Sequence, residues 1–442
     1  MAELNNREII KGLYWYCASN AFNTIFCLLT VFGSVFLLFM GELGIPKQLI
    51  GAILSLFPFC GIIAPFLSSY IEYIGSKRTY LICFGSRKII IASLLSLPWI
   101  INHYGNRAGL AYLMVTISIF ALLRAIGETG FYSWSKEFVP DNLRGRYSAL
   151  NLTLSNITGF VAIFFASYVI RVTGGKIDSY MLLIGTGCIF GVLSVYFMTF
   201  VTGGEPLRNG KKPRIILTQV IEPLRDKNFL YFLAAVGLAL FGASMMIFLP
   251  LFAREKLGFY PGNVVLLDNA TLLGSIIMGF IWGYLGDKFG GRPVVILSLC
   301  IYIFVPAGFL LLSRSYPSVF AFSMLLYGIS GATLLGRAIG DTRFLYVGIL
   351  KDVNVIYYTS IFYGWIGFVD GSARITSGYI LNVFSDVNIQ IGRMTIDSYG
   401  MLFLINLFCQ ISAILIYRKV KPDRQVKTRT FLVMMARRIF NW

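Results

Sequence analysis

Histidine is almost missing from this chain. The single copy, His103, stands in a short polar turn. A histidine metal centre, a Ser–His or Cys–His nucleophile and a His–Asp relay therefore have no candidate residues. Cysteine is sparse and badly placed for chemistry. Cys17, Cys27, Cys60, Cys83, Cys188, Cys300 and Cys409 all fall in apolar runs, and no CxxC pair occurs. That argues against thiolate metal sites and disulfide frameworks and leaves these residues as small packing groups. No phosphate loop of the form GxxxxGK followed by Ser or Thr occurs, so ATP is not the expected energy source. No metal, no cofactor and no enzymatic activity are expected. Charge is thin as well, at 13% against ~25% in soluble domains. Acids are scarcer than bases, 20 against 38, leaving a net charge of +18. No basic patch interleaves with aromatics outside the apolar runs, so nucleic acid is not the expected partner.

What the chain has in abundance is apolar side chains. They make up 57% of 442 residues, with a mean hydropathy of +0.74. A helix crossing a bilayer needs ~20 such residues. Twelve runs fit, at about 12–40, 48–71, 79–101, 109–132, 147–172, 179–201, 229–253, 263–285, 293–313, 318–339, 355–384 and 398–418. No cleavable leader is apparent, so the first run is expected to stay as an anchor. The longest polar stretch before the tail, 202–228, divides six runs from six. Within it, IILTQVIEPL at 215–224 could lie along a membrane surface. The expected organisation is a bundle at 1–201, a linker at 202–228, a second bundle at 229–420 and a basic amphipathic tail at 421–442 resting on lipid headgroups.

Lysine and arginine are partitioned by side. The termini and the loops on their side hold 25, and the opposite loops hold 8. Both termini are therefore expected in the cytoplasm.

Residues 283–292, GYLGDKFGGR, sit between the eighth and ninth runs. Glycine there permits tight turns and close helix approach. A poorer copy, LSSYIEYIGSKR at 67–78, follows the second run, with Glu72, Gly75 and Lys77 standing where Asp287, Gly290 and Arg292 stand. The downstream loop resembles that between the second and third helices of a half in the major facilitator superfamily. Gly283, Asp287, Lys288, Gly290 and Arg292 match the family pattern, while Gly291 departs from it. VPDNLRGRYSAL (139–150) follows the fourth run as ILKDVNVIYYTS (349–360) follows the tenth, and EPLRDKNFLYFL (222–233) resembles the family's entry into its seventh helix. The resemblance spans about 12–420. It implies an all-α membrane protein of twelve helices in two pseudo-symmetric bundles around a cavity. It also implies that Glu72, Gly75, Lys77, Gly283, Asp287, Lys288, Gly290 and Arg292 act in gating, with Asp287 pairing across the halves.

Charges inside a membrane are costly and mark candidate sites. Arg124 and Glu128 stand four apart on the fourth run, and Asp370 and Arg374 repeat that spacing on the eleventh, so each pair shares a helix face. Glu128 and Asp370 are the proton-coupling candidates, with static ion pairs as the bland alternative. Arg87 and Lys88 on the third run are expected to pair with Glu128 or to snorkel. Asp268 is expected as a solvated or capping residue at the far mouth. Asn20, Asn23, Arg124, Asn151, Ser155 and Arg374 are substrate-cavity candidates. The excess of bases hints at an anionic solute.

The expected function is proton-coupled secondary transport of a small solute by a monomer in the bacterial inner membrane, in contact with lipid. A drug or metabolite exporter and a lipid flippase are alternatives, although the fifth run lacks the Gly-Pro that the family's drug antiporters usually carry. A non-transporting scaffold or sensor of the same fold is the rival class.

Overall fold

The computed structural model describes residues 6–63, 70–71, 73–138, 144–206, 222–349, 355–391 and 394–421. Glu72, most of the linker and the basic tail lie outside them. The chain divides into two compact units, Met1–Ile215 with Pro250–Asn269, and Ile216–Leu249 with Ala270–Trp442.

The first unit begins with α1 (Asn6–Thr30) and α2 (Ser34–Glu42), continues through α3 (Lys47–Gly61) and α4 (Ser76–Ala92), and then runs through α5 (Leu97–Phe138), α6 (Arg144–Val172) and α7 (Ile177–Thr199). The first apolar run is thus two helices rather than one. Gly33 breaks it at φ 76°, a conformation glycine reaches without steric cost. Helix α5 is interrupted at Gly105, where φ is 81°. This falls in the polar turn between the third and fourth runs.

The second unit contains α8 (Lys227–Met245), most of α10 (Pro261–Phe289), α11 (Gly291–Tyr302), α12 (Phe304–Leu311), α13 (Val319–Arg343), α14 (Val355–Val383) and α15 (Ser398–Tyr417). Helix α9 (Leu249–Glu255) and the start of α10 belong almost wholly to the first unit. Two interruptions were written in the sequence as proline. Pro250 follows the 3-10 turn Met246–Phe248, and Pro306 follows the break at Ile303. Each removes a backbone donor and crowds the carbonyl four residues back.

A small antiparallel hairpin, β1 (Ile389–Ile391) with β2 (Met394–Ile396), joins α14 to α15. It is an addition to the all-α expectation. The tenth run extends further than its hydropathy suggested, passing from α13 into a π-helical segment, Phe344–Ile349. Among the described residues, nine segments are long and apolar enough to cross a membrane. One of them, Ser76–Phe131, has 56 residues and contains the Gly105 interruption.

The packing repeats between the units. In the first, α1 packs on α6 and α7, and α4 packs on α5 and α7. In the second, α8 packs on α14 and α15, and α11 packs on α13 and α15. These are the same four pairings at corresponding positions. Phe232, Phe344, Phe362 and Tyr417 form the aromatic centre of the second core.

Candidate functional site

In the first unit, one face of α1 organises the polar interior. Asn20 and Asn23 lie three residues apart, so both project from that face. Asn20 Nδ2 donates to Asn151 Oδ1 at 3.1 Å and to Ser155 Oγ at 2.7 Å, both on α6. Asn23 Oδ1 accepts from Arg87 at 2.9 Å and from Lys88 Nζ at 2.7 Å, both on α4. The cavity candidates Asn20, Asn151 and Ser155 therefore meet one another, while Asn23 meets two cations.

Arg87 and Lys88 are each 1% exposed. Neither has a carboxylate within ion-pair distance among the described residues. This corrects the expectation that one binds Glu128 and the other snorkels. Aromatic faces enclose them instead. The Arg87 guanidinium lies 3.5 Å from the Phe84 ring centre, and Lys88 Nζ lies 3.4 Å from that of Phe26. Such contacts are worth ~0.5–2 kcal/mol each, while burying an ion costs several kcal/mol. The aromatic contacts offset only part of that cost. Arg87 Nε is buried with no hydrogen-bond partner.

Arg124 Nε and Glu128 Oε1 meet at 2.7 Å on α5. The Arg124 guanidinium also lies 4.8 Å from the Phe32 ring centre, at the break in the first run. Both side chains remain partly exposed. The predicted pairing is present.

Of the two expectations for Asp268, solvated or capping, the structure shows the cap. Asp268 is half-buried, and its carboxylate accepts from Ser34 N at 3.0 Å and from Ser34 Oγ at 2.8 Å. Gly33, at the cap position of α2, makes no side-chain cap of its own. Asp268 therefore caps α2 from another segment, where the helix dipole also favours negative charge. Neighbouring contacts attach 250–269 to the rest of this unit. Arg254 pairs with Glu42 at 2.5 Å, and Lys47 pairs with Glu255 at 2.6 Å. Arg171 donates to Asn263, Ser167 to the Gly262 carbonyl, and Tyr260 to the Ile170 carbonyl.

In the second unit, Arg374 grips Asp370 through two bonds, Nε to Oδ1 at 3.0 Å and Nη2 to Oδ2 at 2.8 Å. Asp287 pairs with Arg343 at 2.8 Å, inside its own unit. Lys288 Nζ meets the Tyr284 hydroxyl at 3.2 Å. The glycines of this loop divide their work. Gly290 supplies the turn at φ 94°. A Cβ on Gly291 would lie 2.5 Å from the Gly340 carbonyl oxygen, whereas one on Gly283 would meet nothing within 4 Å. Gly283 therefore makes no close helix contact here.

The two loop copies share a staple. Lys77 Nζ donates to the carbonyl of Thr199, the last residue of α7, at 3.0 Å and to that of Val201, just past it, at 2.6 Å. Arg292 Nη2 donates to the Arg418 carbonyl at 2.6 Å, just past α15. In each unit a base at the start of the third membrane segment caps the C-terminus of the sixth, where carbonyls lack partners and the dipole favours a cation. Gly75, at φ 112°, supplies the upstream turn.

One buried cluster escaped the sequence. Tyr417 Oη donates to Asp341 Oδ1 at 2.5 Å, with Arg337 at 4.0 Å from the same carboxylate. Asp341 lay beyond the expected end of the tenth run. The signal available was its four-residue spacing from Arg337. Among the described residues, no group of His, Cys, Asp and Glu could hold a metal ion.

The model for the Major Facilitator Superfamily matches residues 19–340. Solved structures share the fold at low identity. A point mutant of the nucleoside transporter NupG is 13% identical at a TM-score of 0.71, covering 92% of this chain and 99% of its own. A bacterial homolog of the human lysosomal transporter Spinster, inward-facing and unoccupied, is 12% identical at 0.64, covering 97% and 98%. A bacterial homologue of the iron transporter ferroportin, in an inward-facing state, is 11% identical at 0.62, covering 95% and 99%. No curated protein matches the chain. With the family model spanning most of its length, the chain belongs to the major facilitator superfamily and is a multi-pass membrane transport protein.

Proposed function

We propose that the protein is a proton-coupled secondary transporter of a small anionic solute, working by alternating access. The observation that carries the anionic part is the imbalance inside the first unit. Among the described residues Arg87 and Lys88 have Asn23 Oδ1 and no carboxylate within ion-pair distance, and the Glu128 carboxylate is bound by Arg124. A solute bringing negative charge would offset the cost of the buried cations. Within the first unit Arg124 adds a third basic group and Asn20, Asn151 and Ser155 supply neutral hydrogen-bonding groups, while Arg374 is the basic candidate of the second unit.

Glu128 is the first proton carrier in this reading and Asp370 the second. Each is an acid beside a fixed positive charge, so gaining a proton releases an arginine. The test is counterflow and pH-driven uptake in proteoliposomes with Glu128→Gln. Solute exchange should persist while the pH gradient ceases to drive accumulation. Accumulation that still follows the gradient removes Glu128 from this role. The protein acts as a monomer in the bacterial inner membrane, with both termini cytoplasmic. That orientation is supported by the 25-to-8 division of basic residues.

A further inference from the structure

Asn23 holds an unusual position among the polar residues of the first unit. Its carbonyl oxygen accepts from a guanidinium and an ammonium together, at 2.9 and 2.7 Å. The two ends of an asparagine amide have nearly the same shape, and turning one over ordinarily costs little. Here it would press an NH2 group against two cations. Arg87 and Lys88 therefore fix which end faces them and leave Nδ2 on the other side.

That other side is open. Asn23 is half-buried, its Nδ2 makes no hydrogen bond among the described residues, and it is not one of the sealed unpartnered atoms. The cations behind the carbonyl draw electron density towards it and strengthen the N–H groups in front as donors. Among the described residues, the charged groups of α5 that act on Arg87 (Arg124 and Glu128) are paired with each other. The net charge behind the amide therefore stays positive.

We propose that Asn23 is the residue that selects the solute, its Nδ2 donating to an oxygen of a carboxylate or phosphate. Arg87 and Lys88 are positioning residues that orient and polarise the amide without touching the solute. A neutral carbonyl would satisfy the geometry of the donor, and the uncompensated positive charge favours the oxyanion. This inference rests on the transport reading and adds to it an atom and a ligand class.

The discriminating variant is Asn23→Asp. It puts a carboxylate between the same two cations, so the empty protein should melt at a higher temperature than the wild type. It also removes the donors. Purified wild type should show a saturable rise in Tm with inorganic phosphate or with succinate, the two probes separating phosphate from carboxylate recognition. In Asn23→Asp the apparent affinity for that probe should fall at least tenfold, despite the gain in stability. A purely structural Asn23 would give a stabler protein with unaltered anion response, and that result overturns the proposal. A wild type whose melting ignores both anions overturns it too. Asn23→Ser, which keeps a hydroxyl for the cations, should also lose at least tenfold, and carries the test if the aspartate variant does not fold. Counterflow of a neutral solute by a protein indifferent to both anions would sink this inference and leave transport standing. Absence of any counterflow would sink transport instead.

Discussion

At the scale of single residues, pairing within a helix was easy to foresee and pairing between helices was not. Arg124 with Glu128 and Asp370 with Arg374 are four apart, and helix geometry alone brings them together. Asn23 with Lys88 is separated by 65 positions, and nothing in either stretch names the other. Asp341 was overlooked because Gly340, Asp341 and Arg343 resemble a loop. The structure keeps that carboxylate in the fold by giving it Tyr417 and Arg337. Asp268 offers a clean single-residue test. A carboxylate accepts from Ser34 N and Oγ together, whereas an amide offers one acceptor and turns a donor towards the other. Asp268→Asn should weaken the start of α2 by about 1 kcal/mol, the usual worth of a cap. Hydrogen exchange at the Ser34 amide should quicken about fivefold. An unaltered rate would mean that the contact contributes nothing.

At the scale of helices, the places where the chain breaks are physically explicable, and some were legible. Pro250 and Pro306 announce the interruptions beside them. The break at Gly33 carries no proline, and its cap comes from residue 268, so hydropathy shows one unbroken run. Close helix approach is equally hard to read. A Cβ on Gly331 would stand 2.0 Å from the Thr271 carbonyl oxygen, and one on Gly274 would stand 2.0 Å from that of Gly328. Both obstacles are backbone atoms of a neighbouring helix and cannot rotate away. Gly331→Val should force α10 and α13 apart, at a cost of about 1–3 kcal/mol or more. The Tm of the purified variant should fall by several degrees. A Tm equal to the wild type would show that these helices separate freely.

At the scale of the whole molecule, the internal repeat was the strongest signal in the sequence. Six apolar runs on each side of a basic linker anticipated the four matched helix pairings. The loop resemblance anticipated where Lys77 and Arg292 stand, although their partners, the carbonyls after α7 and α15, carry no sequence signature. Asp287 is tied to Arg343 within its unit, and the gating expectation drawn from the loop resemblance is a proposal that a turnover measurement tests. Asp287→Asn should therefore lower turnover several-fold while altering solute affinity little. A change confined to affinity would place the residue in solute binding instead.

The upstream staple also governs how this polypeptide can be cut. Beyond Lys77 and its two carbonyls, Trp134 Nε1 donates to the Thr202 carbonyl and Lys77 N to the Gly204 carbonyl. A Cβ on Gly204 would lie 2.7 Å from Lys77 N. Two gene fragments divided after residue 201, where hydropathy falls, would strip the first product of atoms that close its own fold. Fragments divided after Pro206 keep them, and that is the seam at which a split-protein complementation experiment should begin.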